Sequence, residues 1–417
     1  MRSIYPTAAV LRHHFMIVSS LRAQGFDIRE ADAKPSAEDM FLIVEGETPP
    51  LAARTIVLDH GEGAVVPFGD GNPARITYPE DQAATAAGLA SAMANLQGAP
   101  VAADPESLAL LALAERVAGA DITVLINGPT GTGKEVLARA IHNGSTRSEG
   151  PFIAVNCAAL PEAMLEALLF GHKKGAFTGA SSGGEGFFRA ANGGTLLLDE
   201  VAEMPLQLQA KLLRALQERE VVPLGATEAE PIDVRVVACA NRDLQTEVSE
   251  GRFRADLYYR LSVFPLTTKA LAERPGDIAA LAAAMVVRHG KGRTQLPWIT
   301  PEVVALLQLH DWPGNVRELE NVIQRAMLLA KPDAIEVGDI IFDRKAPEPV
   351  TRPEKLSNIV QLSEFQAIRE TLAECGGNRV ETAKRLGISE RTLRYRLAKA
   401  REQGDEIAPA HSRAISA

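Results

Sequence analysis

The chain has little that would cross-link it or hold it in a membrane. Its 417 residues include three cysteines, Cys157, Cys239 and Cys375, far apart and in no metal or redox spacing. That excludes a disulfide framework and reads as reduced, mostly buried thiols in a cytoplasmic protein. The eight histidines form no group with ligand spacing. No apolar run approaches the roughly 18–20 residues that a membrane span needs. The N-terminus lacks a basic start, an apolar stretch and a cleavage site, so nothing suggests secretion. A net charge of −9 rules out a polycation. What remains is an ordinary globular composition, 46% hydrophobic and 23% charged, long enough for roughly two to four domains.

Two composition shifts divide the chain. The first runs through Gly69-Asp70-Gly71-Asn72-Pro73, an Ala-rich stretch and Gly98-Ala99-Pro100; the second, residues 343–358, sets three prolines among charges. Such segments stay extended rather than packed. The expected plan is a regulatory unit over 1–100, a nucleotide unit over 104–345, a linker over 346–358, a reader over 359–402 and a flexible tail over 403–417. Within the first unit, Phe15–Val18, Met40–Val44, Thr55–Leu58 and Arg75–Tyr78 read as short buried strands and 81–96 as a helix, suggesting a small parallel α/β unit. In outline it resembles a response-regulator receiver without its chemistry. Ser19-Ser20 stand where paired acids would follow the first strand. Tyr78 precedes Pro79 where a lysine would. Glu45 lies near the phosphoacceptor position. An unrelated α/β module is the alternative. On either reading no phosphorylation is expected.

Residues 121–126 (DITVLI) are strand-like. They lead into Gly128-Pro129-Thr130-Gly131-Thr132-Gly133-Lys134-Glu135 and then a helical pattern. Strand, glycine loop and helix form the context of a P-loop, whose backbone N–H groups curl around phosphates while Lys134 reaches them as a cation. Glu135 stands where the motif places Ser or Thr to meet Mg²⁺. A second strand, Thr195–Leu198, ends in Asp199-Glu200. An acid pair there suits Mg²⁺ binding by Asp199 and polarisation of the attacking water by Glu200. Either acid alone would read as a helix-start residue.

Gly175-Ala176-Phe177-Thr178-Gly179-Ala180 puts one large apolar side chain between glycines, after Lys173 and Lys174. In isolation such a segment reads as a tight turn with its phenylalanine tucked into the core. Its neighbours reverse that. With the P-loop and Asp199-Glu200, residues 104–345 resemble the AAA+ domain of bacterial enhancer-binding proteins, the sigma-54-dependent transcription activators, whose signature is GAFTGA. Further motifs stand in order: the segment around Asn156, the first sensor at Asn241, an arginine-finger segment from Gly251 to Leu261, and Trp312-Pro313-Gly314-Asn315-Val316-Arg317 for the second sensor.

The resemblance implies an α/β domain over 104–275 and a helical lid over 276–345. It implies ATP and Mg²⁺ as cofactors, and Asn156 as a switch partner of Glu200. Asn241 and Arg317 would sense nucleotide. Arg254 and Arg260 would reach a neighbouring subunit in a ring, expected to be a hexamer. The 175–180 loop would contact sigma-54 RNA polymerase. Leu168, Lys173 and Ala240 depart from residues common in the family.

Residues 361–375 are amphipathic. Val380–Leu386, Gly387-Ile388 and Ser389, as N-cap of a basic helix to Arg401, form a helix-turn-helix. Residues 376–403 carry eight cationic and three acidic side chains, the local basic patch expected of a DNA reader. The segment resembles the Fis-type helix-turn-helix of the same activators. Ser389, Arg391, Thr392, Arg394, Tyr395 and Arg396 would contact double-stranded DNA. A regulatory protein acting on residues 1–100 is a further expected partner. Within the family the chain resembles FlbD-type flagellar regulators. The rivals are a DNA-binding repressor with a ligand-sensing AAA+ domain and another AAA+ remodeller. The first predicts a degraded loop or missing arginines, and the second has no need of this loop.

Overall fold

A computed structural model describes residues 3–29, 39–95, 100–176 and 182–342, and in the C-terminal part 371, 375, 378–386, 390 and 393. Residues 1–343 and 344–417 form two compact units.

The first unit opens on β1 (Ser3–Pro6), α1 (Ala8–His13), α2 (Phe15–Ala23), β2 (Asp27–Ile28) and β3 (Met40–Val44). It continues through β4 (Thr55–His60), β5 (Ala64–Val66), β6 (Ala74–Tyr78) and α3 (Ala83–Ala94). The sheet order is β2-β1-β3-β4-β6-β5, parallel except for β5 at the edge. Its first five positions follow the doubly wound order of receiver-like folds. Parallel strands are buried on both faces, which is why Met-Phe-Leu-Ile-Val in β3 is continuously apolar.

One expectation fails here. Phe15–Val18 is not a strand but the start of α2. Ile17, Val18 and Leu21 are buried while Phe15 and Met16 are exposed, a helical repeat that a four-residue apolar run does not reveal. The first strand is instead Ser3–Pro6. The residue following it is therefore Thr7, not Ser19-Ser20. Thr7 caps α1 and donates from Oγ1 to Glu47 Oε2 at 2.8 Å. Glu45 does follow β3, where it is ion-paired with Arg75.

β4 returns to β6 through a strand, β5, and not through a crossover helix. The exposed face this would leave is covered by the lid. Leu296 N donates to Val65 O at 2.9 Å. The Trp298 indole lies so close over Gly63 that a Cβ there would collide with the ring. Trp298 Nε1 donates to Gln82 Oε1 at 2.6 Å. A Cβ on Gly88 of α3 would come within 2.7 Å of Ala280 Cα on the first lid helix. Ile4, Leu42, Ile56, Ile76 and Leu89 join Ile278, Ala282, Val286, Leu296 and Trp298 in one hydrophobic core.

The nucleotide part follows: α4 (Pro105–Ala118), β7 (Val124–Asn127), α5 (Lys134–Asn143), β8 (Phe152–Asn156), α6 (Glu162–Phe170), α7 (Phe187–Ala190) and β9 (Thr195–Asp199). Next come α8 (Leu206–Glu218), the β10–β11 hairpin (Glu220–Val221 and Glu230–Pro231), β12 (Arg235–Ala240), α9 (Leu244–Ser249), α10 (Ala255–Leu261) and β13 (Phe264–Thr267). The parallel sheet runs β13-β7-β12-β9-β8. The lid is α11 (Gly276–His289), β14 (Trp298–Ile299), α12 (Pro301–Gln308), α13 (Asn315–Leu329) and β15 (Ala334–Ile335). In the C-terminal unit Arg379–Arg385 is helical, as expected. Thr382, Ala383 and Leu393 are buried.

Candidate nucleotide site

β7 and β9 end on the same edge of the sheet, β12 lying between them, and the crevice outside such carboxyl ends is where ligands sit in open α/β sheets. The loop after β7 is closed by its own geometry. Gly128 N donates to Ala240 O at 3.1 Å. Its φ of +146° and its contact with Thr268 leave no room for a Cβ. At Gly131 (φ +79°) a Cβ would lie 2.5 Å from Gly314 O of the lid. Two motif glycines are therefore required by close approach as well as by conformation. Lys134 Nζ donates to Gly128 O at 2.7 Å and Pro129 O at 2.9 Å. Burial lowers the Lys134 pKa, while Asp199 and Glu200 oppose that shift.

The cleft is about 360 Å³ and is lined by Thr130–Leu137, Asp199, Glu200, Thr268, Arg274 and Arg317. Burial raises the Asp199 pKa; a hydrogen bond from the Glu200 backbone opposes that, the Glu200 charge adds to it, and Lys134 pulls it back. A cation placed there would offset the same repulsion. Among the described residues no three-group metal cage forms. Mg²⁺ held by one carboxylate and nucleotide phosphates needs none, so Asp199 fits the ion. Glu200 holds a left-handed backbone (φ 53°), a strained conformation for a residue with a side chain.

Asn156 lies beside Asp199 in the β8–β9 register. Its Oδ1 accepts from Ala158 N at 2.8 Å. Asn241 follows β12, with Oδ1 buried and lacking a partner among the described residues. Arg254 is the N-cap residue of α10 and Arg260 lies in its last turn; neither lines the cleft. Arg254 pairs with Asp256 at 2.7 Å, and Arg260 donates to Leu216 O at 2.8 Å. The Arg254 backbone N–H is held by Gln209 Oε1 at 2.9 Å.

Sequence reading missed the pivot beneath the lid. Buried Asp277 accepts from Ala103 N and Asp104 N, both at 2.7 Å, and from Ser107 Oγ at 2.5 Å. Arg274 pairs with Asp277 at 3.3 Å and donates to Thr132 O of the P-loop at 2.7 Å. Asn315, at a positive φ of 53°, bridges Leu271 N (2.8 Å) and Thr130 O (3.0 Å). The pivot thus ties lid, P-loop and α4 together. Asp277 was legible only as a helix-start acid.

Gly175 and Ala176 emerge from a braced stem. His172 pairs through its backbone with Gly184 at 2.9 and 3.0 Å, and Lys173 N donates to Leu224 O at 2.9 Å. Ala176 touches the segment between β10 and β11 at Gly225. Phe177, Thr178, Gly179 and Ala180 lie outside the described residues, as do Ser389, Arg391, Thr392, Arg394, Tyr395 and Arg396.

Residues 101–267 match the sigma-54 interaction domain, 272–356 an AAA+ ATPase lid domain, and 360–399 the Fis family of bacterial regulatory proteins. The response regulator protein FleR of Pseudomonas aeruginosa is 49% identical over 337 residues, 74% of this chain and 71% of that protein. The transcriptional regulatory protein FlbD of Caulobacter vibrioides is 43% identical over 352 residues, 80% and 77% respectively. The solved structure of NtrX from Brucella abortus aligns over 95% of this chain and 99% of its own, at 26% identity and a TM-score of 0.54; that protein has also been solved with ADP and with ATP. The chain belongs to the sigma-54-dependent transcriptional regulators, and is an AAA+ ATPase with a receiver-like N-terminal domain and a Fis-family DNA-binding segment.

Proposed function

We propose that this protein couples ATP hydrolysis to remodelling of the sigma-54 RNA polymerase closed complex through residues 175–180. The observation that carries this is the braced stem. The loop leaves from Gly175-Ala176, just after His172 and Lys173, whose backbones are clamped to Gly184 and Leu224, on the same α/β body whose sheet edge presents Asp199 and Glu200. A change at the nucleotide can bias the loop only through contacts that differ between two states, and this stem supplies contacts that can shift.

In this reading Lys134 and the P-loop amides hold the phosphates and Asp199 holds Mg²⁺. Glu200 orients the attacking water, and Asn241 and Arg317 report the nucleotide state. Arg254 and Arg260 lie on an outer edge of the α/β part, which suits completion of a neighbouring subunit's site in a hexameric ring. A guanidinium there would neutralise charge gathering on the transferred phosphoryl group. Residues 389–396 place the protein on upstream DNA, with flagellar promoters as targets.

The test is in-vitro transcription with sigma-54 and sigma-70 holoenzymes. Activation is expected only with sigma-54, and only in protein that keeps Phe177 and Glu200. Activation that survives Phe177→Ala would remove the loop from the mechanism. ATP turnover unchanged in Glu200→Gln would remove the catalytic assignment.

A further inference from the structure

The joint between the N-terminal sheet and the lid is not packed throughout. A cleft of about 840 Å³ opens beside the shared core, within the size range of small-molecule sites, which favour domain interfaces. Phe68 and Met93 line it from the N-terminal side and Val287 from α11. Arg288, Lys291 and Arg293 stand around it, against the single carboxylate of Asp70. Arg293 is held in place by donation to Met327 O at 2.9 Å, which leaves other guanidinium N–H groups to bind a ligand. Lys291 has no hydrogen-bond or ion-pair partner among the described residues. Arg288 pairs with Glu320 at 3.1 Å. Apolar walls with a cationic rim suit a molecule with one apolar end and one anionic end.

The cleft is distinct from the nucleotide cleft, but Val101, Ala284 and Arg288 line both. Ala284 and Arg288 lie on α11, the helix that begins at the Arg274–Asp277 pivot on the P-loop. Anything that wedges α3 from α11 therefore acts on the helix that sets the lid over the nucleotide.

We propose that this cleft is an effector site for a small organic anion, an apolar or aromatic body bearing a carboxylate or phosphate, whose binding alters the grip of the lid on nucleotide. By linkage, nucleotide changes effector affinity by the same factor.

Phenyl phosphate is the probe, titrated into the full chain with saturating ADP to fill the nucleotide cleft. Fluorescence of Trp298, which lies in the same joint, is the readout. Inorganic phosphate and benzyl alcohol supply each half of the probe alone. Saturable binding is expected with a dissociation constant near or below ~1 mM, and at least about tenfold weaker binding of either half. Lys291→Glu should weaken binding about tenfold or more and Lys291→Arg should preserve it; Lys291 is exposed, so both variants should fold. ADP affinity, measured separately, should shift about threefold or more when phenyl phosphate is bound. The proposal is overturned by no saturable signal up to about 10 mM. It is equally overturned if inorganic phosphate binds as well, if ADP displaces the probe, or if Lys291→Glu binds unchanged. None of these outcomes bears on activation at sigma-54 promoters.

Discussion

The molecule carries two mainly parallel sheets whose carboxyl edges have opposite character. In the nucleotide part that edge gathers Lys134, Asp199, Glu200 and Asn241, charged or polar groups held over an open cleft. In the N-terminal part the polar groups along the corresponding edge are paired with one another. Thr7 is bonded to Glu47, Glu45 is paired with Arg75, and buried His14 meets Tyr78 OH at 2.7 Å through Nδ1. The surface of the second sheet has been turned to packing: β5 replaces a crossover helix, and the lid covers the gap. A doubly wound sheet can thus keep its order while the polar groups of its working edge pair off and its flank becomes an internal interface.

The largest effect should separate the two edges. Lys134→Ala and Glu200→Gln should each lower ATP turnover by about 10²-fold or more, whereas Glu45→Gln should leave it within about twofold, since surface ion pairs contribute little. Steady-state phosphate release measures all three, and a comparable loss in Glu45→Gln would abolish the distinction. For the same reason a small phosphodonor should leave the full chain unlabelled, as intact-mass measurement would show.

The joint itself comes next. Trp298→Ala should cost about 3–5 kcal/mol, the usual range for removing a buried large aromatic, read by urea unfolding of the full chain. A loss under about 1 kcal/mol would mean that lid and N-terminal sheet do not share a core. Arg274→Ala should act on nucleotide more than on chemistry. The KM for ATP should rise about tenfold, equivalent to roughly 1.4 kcal/mol, with kcat changed less. A fall in kcat with KM intact would place Arg274 elsewhere in the mechanism.

The smallest effect concerns pH. Burial, then His60 and His13, lowers His14 to about 4 from 6.5, while Asp59 opposes the shift. Between those values the unfolded chain binds a proton that the folded chain does not. Stability contributed by neutral His14 is therefore full above pH 6.5 and is lost as pH falls toward 4. His14→Phe should flatten the unfolding midpoint across that window. A slope identical to wild type would assign the acid sensitivity to other groups.

The nucleotide site was largely legible because its chemistry depends on contiguous residues. A P-loop uses successive backbone amides, and an acid pair at a strand end stays together whatever the rest of the chain does. The N-terminal part was read less well. Phe15–Val18 showed an apolar run whose helical repeat includes Leu21, three residues beyond it, and Ser3–Pro6, Ser-Ile-Tyr-Pro, has no apolar run to mark it as a strand. The pivot was not legible at all, because Asp277 draws three of its partners from residues 103–107, far away in sequence. The family resemblance pairs Asn156 with Glu200; the fold sets Asn156 beside Asp199 at the adjoining strand end.

By itself the sequence determined the loops that bind through their own backbone, the order of the motifs and the local basic character of residues 376–403. Each rests on neighbours in the chain. Only the tertiary structure decided that the lid closes the flank of the receiver-like sheet, that Gly131 must be bare because Gly314 lies against it, and that Arg274 and Asp277 join lid to P-loop. These depend on close approaches between segments separated by more than a hundred residues, and no local periodicity records them.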